Sequence, residues 1–187
     1  YHESGHALVG HLLNHTDPIH KISIIARGQA LGYTLSIPSE DRFLQSKSEM
    51  IDNLAMFLGG RVAEELFCDD ITTGASNDLE RATKLARNMV TRFGMSDEFG
   101  MMALGTVQNA YLNQDTSLTC APGTAERVDA IVAKLIEDAH DRALQILKEN
   151  KFKLYELDRY LYKKETITGE EFMNLLTREN PLMPKQQ

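Results

Sequence analysis

The chain has 187 residues, 42% of them hydrophobic and 25% charged, which is ordinary for a soluble globular protein long enough to bury a core. Its net charge of −7 argues against a nucleic-acid-binding surface, and no apolar run reaches the roughly 18 residues that a membrane helix needs. Cys68 and Cys120 match no metal or disulfide spacing and read as reduced thiols of a cytosolic-type compartment. No signal peptide is visible, and the Asn14-His15-Thr16 sequon has nothing secretory around it. The sequence starts at Tyr1 with a helical pattern already under way, so the expectation is a piece of a longer protein whose upstream part is missing.

The predicted elements fall into a catalytic part over 1–107, a polar loop over 108–123 and a C-terminal helical part over 124–187, within one domain. From His2 to about His15 the spacing of Leu8, Val9, Leu12 and Leu13 fits one helix face. The β-branched segment 21–26 ends at Arg27-Gly28 and reads as a strand. Residues 31–37 alternate with period two and stop at Pro38, giving a second strand and a small sheet or hairpin. Ser46-Lys47-Ser48-Glu49 has capping-box form before a helix over 47–67. The pair Gly59-Gly60 inside that helix marks a kink or a close backbone approach. Asn77-Asp78-Leu79-Glu80 reads as another capping box, opening a helix to about Arg92. Helices follow over 124–150 and 152–163, and Thr168-Gly169-Glu170-Glu171 caps a short last one. The fold class is mainly α.

Chemistry enters at the start of the chain. His2-Glu3-Ser4-Gly5-His6 places two histidines four apart with a glutamate between them. At about 100° per residue, His2 and His6 lie only about 40° apart on a helix, so both imidazoles can reach one ion. Zinc accepts neutral imidazole nitrogens, and a catalytic site keeps one position open for water. Glu3 lies to the side of the pair, where it can act as the general base of a metallohydrolase without being a ligand. His11 and His15 are also four apart, but sit roughly 140–180° away around the wheel and lack a glutamate in the right place. A third ligand is required. Glu64 and Glu65 are candidates from a second helix, and Asp78 is the rival at the first turn of a third. Otherwise Asp78 is a dipole partner at a helix start, and the glutamates a solvated face or an ion pair with Arg61. Spacing alone leaves these open.

The ordered series of motifs settles more. His2-Glu3-Ser4-Gly5-His6 is followed by Ile24-Ile25-Ala26-Arg27-Gly28 and Ala30-Leu31-Gly32-Tyr33-Thr34, then by Leu58-Gly59-Gly60-Arg61-Val62-Ala63-Glu64-Glu65. After these come the run from Thr73 through Asn77-Asp78-Leu79 to Thr83, Phe93-Gly94-Met95-Ser96, and Glu165 to Phe172. The series resembles the peptidase domain of FtsH-type ATP-dependent zinc metalloproteases over essentially the whole chain. The resemblance implies a mainly α, helical zincin-like peptidase domain with a small β-sheet or hairpin near the N-terminus and a C-terminal helical bundle. It implies one Zn2+ held by His2, His6 and Asp78, with Glu3 as the base. It also implies an edge strand, at about Lys21–Ile25, that pairs with protein or peptide substrates through Ile22, Ser23 and Ile24 by β-augmentation.

Members of that family are homohexamers that carry membrane segments and an ATP-using AAA module before the peptidase. No Gly-x-x-x-x-Gly-Lys-Ser/Thr loop occurs here, so ATP binding and membrane contact are expected in missing upstream segments. The domain is then expected on the cytoplasmic side of a bacterial membrane or its organelle equivalent. Ser4 replaces a common alanine of the family, Ala26 a common proline and Ser76 a common glutamine; none removes a ligand or the base. The expected activity is zinc-dependent endoproteolysis of unfolded, misassembled or regulatory proteins. The rivals are a non-catalytic metal-binding hexamerisation module and a stand-alone regulatory zincin. Intact Glu3 argues against the first, because a structural zinc site needs no base.

Overall fold

The computed structural model describes residues 1–26, 32–38, 44–68, 70–107 and 116–177. Among them the chain is mainly helical. Helix α1 spans His2–Leu12, strands β1 and β2 span Ile19–Ser23 and Tyr33–Ser36, and helix α2 spans Lys47–Phe67. A 3-10 turn at Thr73–Ala75 leads into α3, Ser76–Thr91. The hairpin strands β3 and β4 are Gly105–Val107 and Thr116–Leu118. Helices α4, Pro122–Glu149, and α5, Lys151–Lys164, are followed by β5, Thr166–Thr168, and α6, Gly169–Leu176.

Local chemistry accounts for most boundaries. Ser46 Oγ accepts from the Glu49 N–H at 3.2 Å while Glu49 Oε2 accepts from the Ser46 N–H at 2.6 Å, so α2 begins with the expected reciprocal box. Thr168 and Glu171 form the same box for α6. Helix α1 stops earlier than expected, at Leu12, because Leu13 is extended and the Thr16 hydroxyl donates to the Gly10 carbonyl. The box expected at Asn77–Glu80 does not form: α3 starts after Ala75 with no side-chain cap, and Thr72 Oγ1 caps the preceding 3-10 turn instead. The expected loop over 108–123 is shorter, since β4 pairs with β3 and Pro122 opens α4 at a position where its missing N–H costs nothing. Residues 108–115 of that loop, and the Arg27-Gly28 strand end, lie outside the described residues.

The sheet corrects one expectation directly. Its order is β2-β1-β5, all antiparallel, so β1 is the central strand and not an edge. Lys21, Ile22 and Ser23 register with Leu35, Thr34 and Tyr33 on one side and with Thr168, Ile167 and Thr166 on the other. Ile22 and Ser23, named with Ile24 as substrate contacts, are buried between the two neighbouring strands; Ile24 is exposed. The cause is β5, three residues wedged between α5 and α6, too short to carry a period of its own.

Helix α2 is the hub, packed against α1, α3 and α4. Leu8, Ile22, Leu54, Val62, Leu147, Leu154, Leu157 and Phe172 are essentially buried in one continuous core. Burial of each such side chain contributes about 1.5–3 kcal/mol. Helix α2 runs without interruption through the Gly59-Gly60 pair. The pair marks a close backbone approach: a Cβ on Gly5 would lie 2.3 Å from the Gly59 carbonyl oxygen. Two facing glycines therefore bring α1 and α2 nearly backbone to backbone.

Candidate metal centre

The close crossing of α1 and α2 sets the depth at which the α1 histidines sit. His2 and His6 lie one turn apart on α1, and both rings pass over Gly60, where a Cβ would fall 2.6 Å from His2 Cε1 and 2.4 Å from His6 Nε2. The first turn of α3 brings Asp78 to the same place. His2 Nε2 and His6 Nε2 are 3.0 Å apart, and Asp78 Oδ2 is 3.2 Å from each. Among the described residues this is the only group of three or more metal-donor side chains whose atoms converge. A tetrahedral zinc with bonds near 2.0–2.1 Å spaces its donors about 3.3 Å apart. The triangle fits that spacing, and two imidazole nitrogens plus one carboxylate oxygen are a donor set zinc accepts.

The far side of each ring fixes its tautomer. His6 Nδ1 lies 2.8 Å from the Met56 carbonyl oxygen, which can only accept, so Nδ1 carries the proton and the Nε2 lone pair faces the triangle. His2 Nδ1 donates to Glu64 Oε1 at 2.8 Å. Glu64 is itself buried and held by the Thr72 N–H at 3.1 Å. Outer partners of this kind orient ligand rings and raise their basicity.

Burial disfavours the charged form of Asp78, but the two imidazoles of His2 and His6 beside it outweigh burial and hold the carboxyl well below the usual carboxylate range. His2 feels the reverse balance: burial lowers its proton affinity, and hydrogen bonds to Asp78 and Glu64 leave it raised. Glu64 is depressed, burial notwithstanding, by the Thr72 N–H and by His2. The pattern is a compact set of carboxylates kept ionised around two imidazoles.

Glu3 stands beside the triangle, outside it, on the wall of an open cavity of about 1030 Å³. Its Oε2 accepts from Thr34 Oγ1 at 2.8 Å. Tyr33 and Thr34 of β2, Phe57 of α2 and Arg81 of α3 line the same cavity, and Ile24 reaches its rim. The Arg81 guanidinium lies over the Phe57 ring, 4.3 Å from its centroid.

The other candidates go elsewhere. His11 packs edge-on against Phe172, and His15, beyond the end of α1, pairs with the buried Asp52 at 3.0 Å. Glu65 pairs with His140 at 2.8 Å. Glu64, weighed as a ligand, serves the ligand instead. Met56 escaped sequence reading because it acts through its main-chain carbonyl. Thr34 escaped it because a threonine in a strand pattern signals β-propensity and nothing more.

The profile of peptidase family M41 matches residues 1–175. The chain belongs to peptidase family M41. It is 54% identical over 185 residues to a protein named ATP-dependent zinc metalloprotease FtsH from Lancefieldella parvula, covering 98% of this chain and 29% of that protein. Proteins of the same name from Slackia heliotrinireducens and Clostridium perfringens are 54% and 50% identical, covering 94% and 97% of this chain and 23% and 25% of those proteins. This M41 chain thus spans less than a third of the length of each of these relatives. No described helix is long and apolar enough to cross a membrane.

Proposed function

We propose that this M41 chain is the zinc-dependent endopeptidase part of a membrane-anchored, ATP-dependent protease that degrades unfolded, misassembled or regulatory proteins. The observation that carries the reading is the triangle of His2 Nε2, His6 Nε2 and Asp78 Oδ2 with Glu3 beside it and not in it. Zinc held there supplies a Lewis acid that makes water a nucleophile at neutral pH and stabilises charge developing on the scissile carbonyl. His2 and His6 present their Nε2 lone pairs, fixed by Glu64 and Met56, and Asp78 adds the charge. Glu3 takes a proton from the attacking water at its carboxylate and passes it to the leaving amine nitrogen.

The substrate surface in this reading is β2. Among the described residues it is an end strand of the sheet, and it lines the cavity that holds Glu3, whereas β1 does neither over Lys21–Ser23. An extended peptide added to a strand edge is held by main-chain hydrogen bonds, which suits chains of any sequence. In this reading homohexameric assembly, ATP use and membrane attachment belong to the parent protein; of these, the relatives' names carry the ATP dependence.

The test is casein hydrolysis by the assembled parent protein, read together with zinc content. Glu3→Gln should retain one zinc per chain and lose hydrolysis, and Asp78→Ala should lose both. A Glu3→Gln protein that still hydrolyses casein overturns the base assignment. Zinc bound at full occupancy without hydrolysis in the wild type makes the chain a non-catalytic module.

A further inference from the structure

The general base is not held by its own helix. Glu3 Oε2 accepts from Thr34 Oγ1 at 2.8 Å, and the same hydroxyl lies 3.1 Å from the Glu3 carbonyl oxygen. On the same face of the extended segment, two residues earlier, Gly32 presents bare backbone: a Cβ there would fall 2.9 Å from Glu3 Oε1, 3.0 Å from Glu3 Cγ and 2.8 Å from the Ser23 carbonyl oxygen. One carboxylate oxygen is thus held by a hydroxyl, and the other lies against a glycine. A glutamate side chain carries three rotatable torsions, and among the described residues the Glu3 carboxylate makes its hydrogen bond to β2 and not within α1. The neighbouring ligands His2 and His6 are, by contrast, each fixed by α2.

We propose that Thr34 is a positioning residue for Glu3, with Gly32 as the seat that makes the contact possible. The inference rests on the reading of Glu3 as general base. Thr34 belongs to β2, the strand along which the substrate is proposed to lie, and it registers with buried Ile22 on the central strand. The rigid sheet therefore sets the position of the carboxylate relative to an extended chain lying along that strand. Placing the base and the peptide from one strand leaves little freedom between them, which is the geometric condition for proton transfer within hydrogen-bond reach. The hydrogen bonds of the Thr34 hydroxyl go to Glu3 and, among the described residues, none goes to the triangle, so it acts on the base and not on metal binding.

The experiment measures kcat and KM for a quenched peptide, together with zinc content and melting temperature, on the assembled parent protein. The variants are Thr34→Val, Thr34→Ser, Glu3→Gln and the double variant Thr34→Val with Glu3→Gln. Thr34→Val should lower kcat by about 10- to 100-fold with KM changed far less and one zinc per chain retained. Thr34→Ser, which keeps the hydroxyl, should recover most of kcat. In the Glu3→Gln background Thr34→Val should cost nothing further, because its effect passes through Glu3. Thr34→Ala, smaller than threonine, supplies the same comparison if the valine protein does not melt cooperatively. Wild-type kcat in Thr34→Val or Thr34→Ala overturns the proposal while an inactive, zinc-loaded Glu3→Gln leaves the base reading standing. Full activity in Glu3→Gln overturns both. Additive losses in the double variant, or failure of serine to rescue, reduce Thr34 to a structural strand residue.

Discussion

Glu64 accepts the Nδ1 proton of His2 at 2.8 Å while the Thr72 N–H holds its other oxygen at 3.1 Å. The metal-facing nitrogen of His2 is therefore oriented from behind by a residue one helix away, which is in turn fixed by the loop that leads to Asp78. Because Glu64 is buried, its loss cannot be made good by bulk water at no cost. Glu64→Ala should weaken zinc binding by about 10- to 100-fold, as removal of outer partners generally does. Competition titration against a chromophoric chelator measures it. An unchanged affinity would show that Glu64 braces the Thr72 turn and not the ligand.

Gly59 and Gly60 make separable predictions although they are neighbours. In an exposed helix, alanine would be favoured over glycine at either position by up to about 1 kcal/mol. At Gly60 the added Cβ overlaps His6 Nε2 at 2.4 Å and His2 Nε2 at 2.7 Å, atoms that make up the triangle. Gly60→Ala should therefore lower zinc affinity by at least about tenfold, with helicity unchanged. At Gly59 the Cβ meets the Gly5 carbonyl oxygen at 2.9 Å and its carbon at 3.1 Å, backbone that cannot swing aside. Gly59→Ala should instead destabilise the fold by about 1–3 kcal/mol through overpacking. Zinc titration and chemical denaturation of the two variants, side by side, check the division. Equal effects on both measurements would mean that the crossing and the site are not independently set.

The sequence made the helices legible where a cap and a period agreed. Ser46–Glu49 started α2 at the expected residue, and Thr168–Glu171 did so for α6. It failed where a polar side chain had two possible uses. Asp78 and its neighbours read as a capping box, yet the Asp78 side chain turns to the histidines and the helix start goes without a side-chain cap. Helical spacing also sorted His2 and His6 from His11 and His15, because both pairs lie on or near one helix whose buried face the leucines mark. What spacing could not give was any contact between elements. The choice among Glu64, Glu65 and Asp78, the seat of Glu3 on β2, and the central place of β1 all depend on β5, α2 and α3 arriving from distant parts of the chain. A three-residue strand such as β5 carries almost no local signal, and its pairing alone turned the expected edge strand into an interior one.

The C-terminal end carries an acid-sensitive contact remote from the metal centre. The Glu171 carboxyl is held down to about 2 from 4.5, first by the Thr168 N–H and then by Lys164 and Tyr160. A depressed carboxylate adds stability in its ionised form, so this contribution is complete above about pH 4.5 and disappears as the pH falls through about 2. Glu171 is partly exposed at the surface, so solvent keeps the effect small. Glu171→Gln should melt below the wild type at pH 6–7, and the two curves should converge as the pH approaches 2. Thermal melts of both proteins kept zinc-free across that range measure it, since the histidine ligands are protonated at its acid end. A gap that persists at the acid end would assign the loss to the Tyr160 and Lys164 contacts as neutral hydrogen bonds and not to charge.

Ser4 sits inside α1 between the base and the tight glycine crossing, wholly buried, and its hydroxyl has no hydrogen-bond partner among the described residues. A hydroxyl shielded from water without a partner loses about 1–3 kcal/mol of hydration relative to the unfolded chain. Alanine removes that loss, leaves only a small void in place of one oxygen, and is the better helix former by a few tenths of a kcal/mol. Ser4→Ala should therefore raise stability by about 1 kcal/mol, with zinc content and kcat unchanged, since no donor or proton path passes through it. Denaturant midpoints of the two proteins with zinc bound decide the matter. A lower midpoint for the alanine variant would mean that the hydroxyl is satisfied in the folded protein and that Ser4 helps to hold α1 in place.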